Sequence, residues 1–413
     1  MSQQTIAVVG AGVVGASVGL FLQRDGHRVI LLDRTGPAAG ASFGNAGAIV
    51  NGSCAPTAMP GIVGDVVRMM LQPLPPLSIS AAYFPRALPW LVRFVAASRR
   101  SQVDRIAGDL HALTAGAVEA WRELTAGTRL EQLLATGGWL KVYESDRSFA
   151  GTATARELLD AVGTPYEVLD ADDLRDLEPN LAPIFRHGLW QKDALRIVNP
   201  GRLVREMVDL LVAGGGRFQQ GEVRAVEPGE TSVTVRLTDT TLSVDRVVIA
   251  AGAWSRPLAA MLGDRVPLDT ERGYHMMLPA GTETLLGRPV VNGEHSFVLS
   301  PMETGLRMTS QVELAGVDAA PDFRRIRSLL QKAKQMLPGV EASETSVWMG
   351  CRPSLPDSLP VIGRSTRSPA VLYAFGHQHL GMTLGPVTGR LVAELVAGRS
   401  ARLNLTPYRP ERW

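Results

Sequence analysis

Gly10-Ala-Gly12-Val-Val-Gly15 lies near the start of the chain, directly after the β-branched run Thr5-Ile-Ala-Val-Val9. Residues 16–24 have the composition of a helix, and residues 28–33 (Arg-Val-Ile-Leu-Leu-Asp) predict a second buried strand that ends in a carboxylate. In such a unit the first glycine permits a tight turn, the second lets the backbone approach a pyrophosphate, and the third lets the helix pack closely on the strand. The spacing therefore predicts a dinucleotide-binding site.

Asp33 strengthens this interpretation because it stands eighteen residues after Gly15, where a carboxylate can accept hydrogen bonds from ribose hydroxyls. The helix that begins near Gly15 offers unpaired N–H groups and the positive end of its dipole to the phosphates. The alternative is a glycine-rich turn in an unrelated α/β protein, which leaves Asp33 unexplained.

The composition indicates a globular protein with a large core, since 45% of the 413 residues are apolar and 20% are charged. The net charge is only +2, which argues against nucleic acid as a partner. Two cysteines, Cys54 and Cys351, predict neither a disulfide framework nor a metal site and favour a reducing compartment. Residues 5–23 carry no charge, but the nucleotide-binding unit explains them better than a membrane span does, so we expect a cytoplasmic protein without a cleaved leader.

Residues 55–100 differ in character from the rest of the chain, because prolines alternate there with the apolar patches 62–71 and 88–95, the second accompanied by arginines. One interpretation is two short helices packed on the protein; the other is a peripheral contact with a membrane. Farther on, the spacing of Val103, Ile106, Leu110, Leu113 and Trp121 predicts one long helix over residues 103–127.

The remaining chain alternates between two kinds of sheet. Residues 245–252 and 371–375 form continuous apolar runs into glycine, which predicts that they return to the nucleotide-binding sheet, whereas residues 266–345 predict a mostly antiparallel sheet. We therefore expect an α/β fold: a discontinuous Rossmann-like dinucleotide-binding domain (1–52, 195–265 and 346–413) with an inserted α+β substrate-binding domain (53–194 and 266–345).

Four blocks support a family resemblance: the Gly10 unit, residues 41–47 (Ala-Ser-Phe-Gly-Asn-Ala-Gly), residues 247–255, and residues 350–363 together with 375–383. In their order and spacing they resemble the D-amino-acid oxidase-like superfamily of FAD-dependent amine oxidoreductases, most closely the bacterial D-amino-acid and D-hydroxyproline dehydrogenases.

The resemblance implies that FAD is the cofactor. It places residues 42–47 along the pyrophosphate and flavin, and it places the turn at 380–383 at the flavin's N1–C2=O edge, where a helix dipole stabilises the negative charge of reduced flavin. The cofactor-binding residues that it implies are Gly10, Gly12, Val14, Gly15, Asp33, Arg34, Ser42, Asn45, Ala46, Gly47, Val223, Ala251, Gly252, Trp254, Gly376, Leu380, Gly381, Met382 and Thr383.

Three further residues are expected at the substrate. Arg352 matches the family position that grips the substrate carboxylate, for which a guanidinium is suited by its two parallel N–H donors; the alternative is a structural ion pair. Tyr274 starts a strand that forms the ceiling of the pocket, where its hydroxyl could bond the same carboxylate, or it is a core aromatic. His379 is expected to point towards flavin and substrate, while His377 braces the turn. No metal site is expected.

The predicted reaction is oxidation of a D-amino or cyclic D-imino acid, such as D-hydroxyproline or D-alanine, to the imine by hydride transfer from Cα to flavin N5. The electron acceptor is open between oxygen and a quinone or respiratory chain. Alternatives are a sarcosine- or glycine-type oxidase and a non-catalytic flavoprotein subunit; an NAD-dependent dehydrogenase is disfavoured by the flavin-type turn at 376–381. In the related sarcosine oxidases a cysteine near Cys351 is joined to the flavin, but we interpret Cys351 as a small buried apolar residue.

Overall fold

The computed structural model describes residues 2–64 and 77–413. The strands of these residues are β1 (Thr5–Val9), β2 (Arg28–Asp33), β3 (Ala48–Ile49), β4 (Leu77–Ile79), β5 (Leu134–Ala135), β6 (Trp139–Tyr143), β7 (Glu167–Leu169), β8 (His187–Gln191), β9 (Leu195–Ile197), β10 (Arg217–Gln220), β11 (Val223–Pro228), β12 (Val233–Leu237), β13 (Thr241–Val244), β14 (Arg246–Ile249), β15 (Asp269–Met277), β16 (Val290–Asn292), β17 (Phe297–Met302), β18 (Gly305–Leu314), β19 (Ser346–Ser354), β20 (Val361–Arg364) and β21 (Val371–Phe375). The helices are α1 (Val13–Arg24), α2 (Phe84–Ala97), α3 (Arg100–Thr114), α4 (Ala117–Thr125), α5 (Asp146–Ala150), α6 (Ala153–Ala161), α7 (Ala171–Leu177), α8 (Pro200–Ala213), α9 (Ser255–Met261), α10 (Arg324–Arg327), α11 (Leu330–Met336) and α12 (Gly381–Val396).

The first sheet has the strand order β10-β2-β1-β14-β21-β20, parallel throughout except for the pair β20–β21. It is buried on both faces. In β1, Ile6 and Val8 pack with the helices on one side, while Ala7 and Val9 pack with the hairpin strands β12 and β13 and with α9 on the other. A parallel sheet covered on both sides needs apolar residues at every position, which explains the uninterrupted run in β1. The predicted return of residues 245–252 and 371–375 to this sheet is confirmed.

The second sheet follows the order β19-β15-β18-β17-β16-β6-β8-β7, and β4 adds to β18. Most of its pairs are antiparallel; β6 with β16 and β4 with β18 are parallel. One face packs on α10 and α11, and Arg307 on the other face bonds to the carbonyl oxygens of Phe43 and Asn45. The predicted fold class, a Rossmann-like unit joined to a mostly antiparallel α+β unit, is thus confirmed.

Several local predictions need correction. The helix expected over 103–127 is interrupted at residues 115–116, between α3 and α4. Both helices bury the same apolar side, so the periodicity continues across the break, and the side chain of Asn51 accepts a hydrogen bond from the Val118 N–H in place of a helical carbonyl. The sequence analysis also missed β10 and β19. Residues 65–71 of the first apolar patch lie outside the described residues.

Strand β19 bears on the domain boundaries. The sequence analysis assigned residues 346–413 to the FAD-binding domain, but β19 pairs along its whole length with β15 in the second sheet. We therefore propose that this boundary lies after Ser354. In the part of the chain that the structure describes, no helix is both long and apolar enough to cross a bilayer.

Helices α1 and α12 pack closely, because glycines remove the side chains at their contact. A Cβ added at Gly389 would lie 2.8 Å from the carbonyl carbon and oxygen of Ser17 and from the Phe21 ring. Since backbone atoms cannot rotate away, any side chain at Gly389 must push the two helices apart.

We expect Gly389→Ala to lower the free energy of unfolding by about 1–3 kcal/mol, the usual range for overpacking a tight contact. Gly108→Ala is the matched control: Gly108 is also helical, but nothing lies within 4 Å of an added Cβ there. Alanine's higher helix propensity should leave that variant unchanged or more stable. Equal stability changes in denaturant unfolding of the two variants would contradict the packing argument.

Candidate active site

A cleft of about 410 Å³ runs along the carboxyl ends of β1, β2 and β14. Its floor is the turn at Gly10, where φ is +113° and an added Cβ would lie 2.3 Å from the carbonyl oxygen of Ala250. Gly15 packs from below, since a Cβ there would lie 1.8 Å from the Gly10 carbonyl oxygen. These glycines let three backbone segments meet without side chains between them, which leaves a cradle of main-chain atoms.

The N-terminus of α1 opens into this cleft. Gly12 occupies the N-cap without a capping side chain, and Gly12, Val13 and Val14 line the wall. The Val13 N–H donates to Ser42 Oγ over 3.0 Å, which ties the following loop to the helix start. An uncapped helix N-terminus beside a concave wall favours a bound anion such as a pyrophosphate.

Asp33 lines the cleft and also holds its backbone. Its Oδ2 accepts the Ala11 N–H at 2.8 Å, and its Oδ1 accepts N–H groups of Thr35 and Gly36 as well as the Thr35 hydroxyl. Oδ2 accepts only one of these four hydrogen bonds, so it is the Asp33 oxygen with room for a hydroxyl donor. The sequence predicted the position of Asp33 but not its hydrogen bonds to the backbone of the turn.

The other end of the cleft is walled by an aromatic–guanidinium stack. The Arg34 guanidinium lies 3.8 Å from the centroid of the Trp254 ring, on the helical turn Gly252–Trp254. Of the predicted cofactor residues, those that line this cleft are Gly10, Gly12, Val14, Asp33, Arg34, Ser42, Asn45, Val223, Ala251, Gly252, Trp254, Gly381 and Met382.

A second cavity, of about 1240 Å³, lies between the cleft and the second sheet. Ala41, Asn45 and Gln378 border both spaces, so the two adjoin each other. The predicted cofactor residues Ala46, Leu380 and Thr383 line this cavity. Gly15, Gly47 and Gly376 line neither space; each permits a close approach behind the wall instead.

The N-terminus of α12 points to the junction of the two spaces. Leu380 and Thr383 face the cavity, and Gly381 and Met382 face the cleft. The Thr383 hydroxyl donates to the Ala48 carbonyl over 3.2 Å and so fixes the helix start against the loop that follows residues 41–47. A helix dipole is thereby directed at the point where the cleft and the cavity adjoin.

Arg352 lies in the cavity wall on β19. Its Nη1 donates to the Gln311 carbonyl over 3.0 Å, and its guanidinium lies over Gly273, where an added Cβ would be 2.2 Å from Nη2. Burial lowers the pKa of Arg352, while the neighbouring Glu271 opposes that shift. The guanidinium is charged, largely desolvated and still has donors free for a ligand in the cavity.

Glu271 is a cavity residue that the sequence analysis missed. It lies opposite Arg352 in the β15–β19 register and is itself buried. Burial raises the pKa of its carboxyl group, against the opposing influence of Arg352. Nothing in the sequence indicated that Glu271 and Arg352 would be neighbours, because the two lie on different strands.

Tyr274 requires a correction. Although it borders the cavity, its hydroxyl donates to Glu313 Oε2 at 2.5 Å and accepts the Asp322 N–H at 3.1 Å. Side chains alternate along β15, so Tyr274 points away from the face that carries Glu271. The hydroxyl is therefore not directed at a carboxylate held by Arg352, and the core-aromatic interpretation fits this geometry.

His379 faces the cavity from the turn before α12. Burial, followed by the charges of Arg352 and Lys141, lowers the pKa of His379 to about 4, so its imidazole is neutral near pH 7. His377 lines the cofactor cleft, and its Nε2 lies 2.9 Å from the Thr388 hydroxyl oxygen. The prediction that His377 braces the turn is confirmed.

The loop 41–47 is held in place from the second sheet by Arg307. Its Nη1 donates to the carbonyl oxygens of Phe43 and Asn45 over 3.0 and 2.8 Å, and burial lowers its pKa to about 10. Gln378 lies across the junction in a left-handed conformation (φ +49°), with its Oε1 buried and without a hydrogen-bond partner. Neither residue was foreseen, because their roles depend on contacts between the two sheets.

The residues that line the cleft and the cavity fit FAD. A cradle without side chains and an uncapped helix end suit a pyrophosphate, the remaining acceptor position of Asp33 suits a ribose hydroxyl, and the cavity beside α12 is large enough for a flavin ring with a substrate. The orphaned Gln378 Oε1 adds an acceptor at the junction.

Comparison with known proteins agrees with this fit. The family model described as FAD dependent oxidoreductase (DAO) matches residues 5–395. The chain is 34% identical over 416 residues to a D-amino-acid oxidase of Bradyrhizobium diazoefficiens, covering 99% of this chain and 98% of the relative. It is 31% identical over 424 residues to a D-amino acid dehydrogenase of Cereibacter sphaeroides, covering 99% and 95%.

Solved structures share the fold. Glycine oxidase from Geobacillus kaustophilus superposes with a TM-score of 0.74 at 23% identity, over 100% of both chains. Iminodiacetate oxidase from a Chelativorans species gives a TM-score of 0.73 at 20% identity, over 98% of both chains. With a family model that spans nearly its whole length, the chain belongs to the DAO family of FAD-dependent oxidoreductases.

Proposed function

We propose that the protein is an FAD-dependent D-amino-acid dehydrogenase that oxidises a D-amino or cyclic D-imino acid to the imine. The observation that supports this most strongly is Arg352, a guanidinium with free donors in a cavity that adjoins the cofactor cleft. A guanidinium binds a planar carboxylate through two parallel hydrogen bonds, so it fixes one end of an amino acid and thereby the direction of Cα.

The protein's part in this reaction is to orient and to exclude water. Bound FAD supplies the acceptor for the hydride that leaves Cα. Arg352 holds the carboxylate, neutral His379 borders the reacting region without adding charge, and the α12 N-terminus faces the site where negative charge develops. Trp348 and Trp139 narrow the cavity with apolar surface.

The names of the relatives support this substrate class, since they denote a D-amino-acid oxidase and D-amino acid dehydrogenases. D-hydroxyproline and D-alanine are the substrates that we propose first. The oxidase name of one relative also favours a second candidate, an amine oxidase that passes its electrons to oxygen. A sarcosine- or glycine-type oxidase would use the same grip on the carboxylate.

One experiment separates these possibilities. The flavoprotein is mixed anaerobically with D- and L-amino acids, D-proline, 4-hydroxy-D-proline, glycine and sarcosine, and bleaching of the flavin is followed. We expect D-amino or D-imino acids to bleach it fastest; hydrogen peroxide formed in air at the same rate would identify an oxidase. If none of these compounds bleached the flavin, the result would favour a non-catalytic flavoprotein.

We expect Arg352→Met to raise the substrate concentration for half-maximal flavin reduction roughly 10- to 100-fold, because charged hydrogen bonds contribute about 1.5–3 kcal/mol. FAD should stay bound, since Arg352 does not line the cofactor cleft. Arg352→Lys keeps the charge but loses the paired donors, so its effect should be intermediate. An Arg352→Met protein with the wild-type substrate constant and full flavin content would remove Arg352 from the site.

Cys351 lines the cofactor cleft but is buried, and burial raises the pKa of its thiol. A neutral thiol is a poor nucleophile. We therefore expect acid precipitation to release all of the yellow flavin into the supernatant, and Cys351→Ala to bind FAD like the wild type. Colour retained in the wild-type pellet but lost from that of the variant would show a covalent link.

We further propose a peripheral membrane contact, within residues 55–100, that delivers electrons to a membrane quinone. Phe84, Leu88, Val92 and Val95 form an exposed apolar stripe on α2 that borders the mouth of the large cavity, and exposed arginines 86 and 93 accompany it. The apolar side chains of such a surface can enter a membrane interface while the arginines bind anionic lipid headgroups. The proposed location is accordingly cytoplasmic, at the inner face of a membrane.

We expect Val92→Glu to weaken co-sedimentation with phosphatidylglycerol vesicles, because Val92 is 62% exposed at the centre of the stripe. Val212→Glu serves as the control: Val212 is 46% exposed, on α8, outside the cavity lining. Equal binding by both variants and the wild type, or no binding by the wild type, would contradict the membrane contact.

A further inference from the structure

Two opposite charges lie side by side in the ceiling of the large cavity. Glu271 on β15 and Arg352 on β19 are directly paired residues of neighbouring antiparallel strands, and both line the cavity. Paired residues point to the same face of a sheet with Cβ atoms about 5 Å apart. The strand register therefore presents a carboxylate and a guanidinium together to whatever occupies the cavity.

The two groups do not satisfy each other. Arg352 turns towards Gly273, whose missing side chain makes room for the guanidinium, and it donates to the Gln311 carbonyl. Among the described residues, the ion pairs within 4.0 Å do not include Glu271 with Arg352. Each group thus keeps bonding capacity for a ligand, and a buried charge without a close partner is costly unless a ligand completes it.

Few other charged groups influence the pKa of Glu271. The charge of Arg352 on β19 lowers the pKa of Glu271, and that of Asp269 on its own strand raises it. From the turn above the cavity, His379 is under the influence of Arg352 and Lys141, and its pKa of about 4 makes its imidazole a weak base. Burial raises the pKa of Glu271, which makes its carboxylate a stronger base than one in water.

We propose that Glu271 binds the ammonium group of the substrate beside Arg352 and accepts its proton before Cα is oxidised. The inference rests on the proposed function, because an amino acid carries both charges that this pair would hold. One N–H bond of the ammonium breaks, the proton goes to a carboxylate oxygen of Glu271, and nitrogen keeps the electron pair. That lone pair forms the C=N bond as Cα loses its hydride, and Glu271 later returns the proton to water.

The test compares wild type, Glu271→Gln and Glu271→Asp in anaerobic rapid mixing with D-alanine over a range of pH. In the wild type, reduction should slow as the pH falls through the pKa of Glu271, because a protonated carboxyl cannot accept a proton. At pH 7 Glu271→Gln should be slower on the order of 100-fold, the usual contribution of a positioned base. Its rate should then rise about tenfold per pH unit up to the pKa of the substrate ammonium, as free amine becomes available. Glu271→Asp should restore part of the rate.

Binding of propionate, which has a carboxylate but no amine, gives a readout without turnover. Perturbation of the flavin spectrum by propionate should persist or strengthen in Glu271→Gln, since Arg352 is intact and a negative charge has gone. If the substitution damaged the site instead, the spectral change caused by propionate would be weaker than in the wild type. Asp269→Asn, two residues earlier on the same face of β15, removes a charge that raises the pKa of Glu271, so it should keep a pH-dependent rate but shift its midpoint to lower pH.

The inference would be overturned by a Glu271→Gln enzyme that reduces its flavin at pH 7 at the wild-type rate, or by one whose lost rate does not return at alkaline pH. Failure of the proposed function looks different, because then D-alanine and the other candidate substrates would leave the wild-type flavin oxidised at every pH.

Discussion

The architecture depends on one close approach of backbone to backbone. At Gly10 and Gly15, β1, α1 and β14 meet at distances that a single Cβ would forbid, and Gly389 extends the same contact to α12. Because the helices can come this near, their N-termini open at the edge of the sheet instead of being held off by side chains. The anion-binding cradle and the dipole directed at the cavity both follow from that proximity.

The second sheet contributes charged side chains to the site, whereas the first sheet contributes backbone groups. It carries Arg352, Glu271 and Arg307 on the face that looks towards the cofactor edge, and Glu271 and Arg307 are buried. Arg307 is satisfied by carbonyls of the loop 41–47, so it fixes the loop to the sheet. Arg352 and Glu271 are only partly satisfied, which marks them as groups arranged for a ligand and not for stability alone.

Sequence reasoning succeeded where a local pattern has one structural solution. The strand bounds of β1 and β2 and the turn between them follow from β-branched runs and glycine spacing, and α12 follows from its own apolar period. It failed where one residue pattern is compatible with two different structures. The break between α3 and α4 left the periodicity intact, and Tyr274 alternates correctly for a sheet whose two faces the sequence could not tell apart.

By itself, the sequence determined the dinucleotide-binding unit, the return of two later strands to it and the family to which the blocks belong, because each depends on residues that are neighbours along the chain. Only the tertiary structure decided which charges meet in the cavity. Glu271 and Arg352 are eighty-one residues apart and become partners through the register of β15 with β19, which the total set of strand pairings fixes. The same register turned the Tyr274 hydroxyl to the opposite face, since side chains on adjacent positions of a strand point in opposite directions.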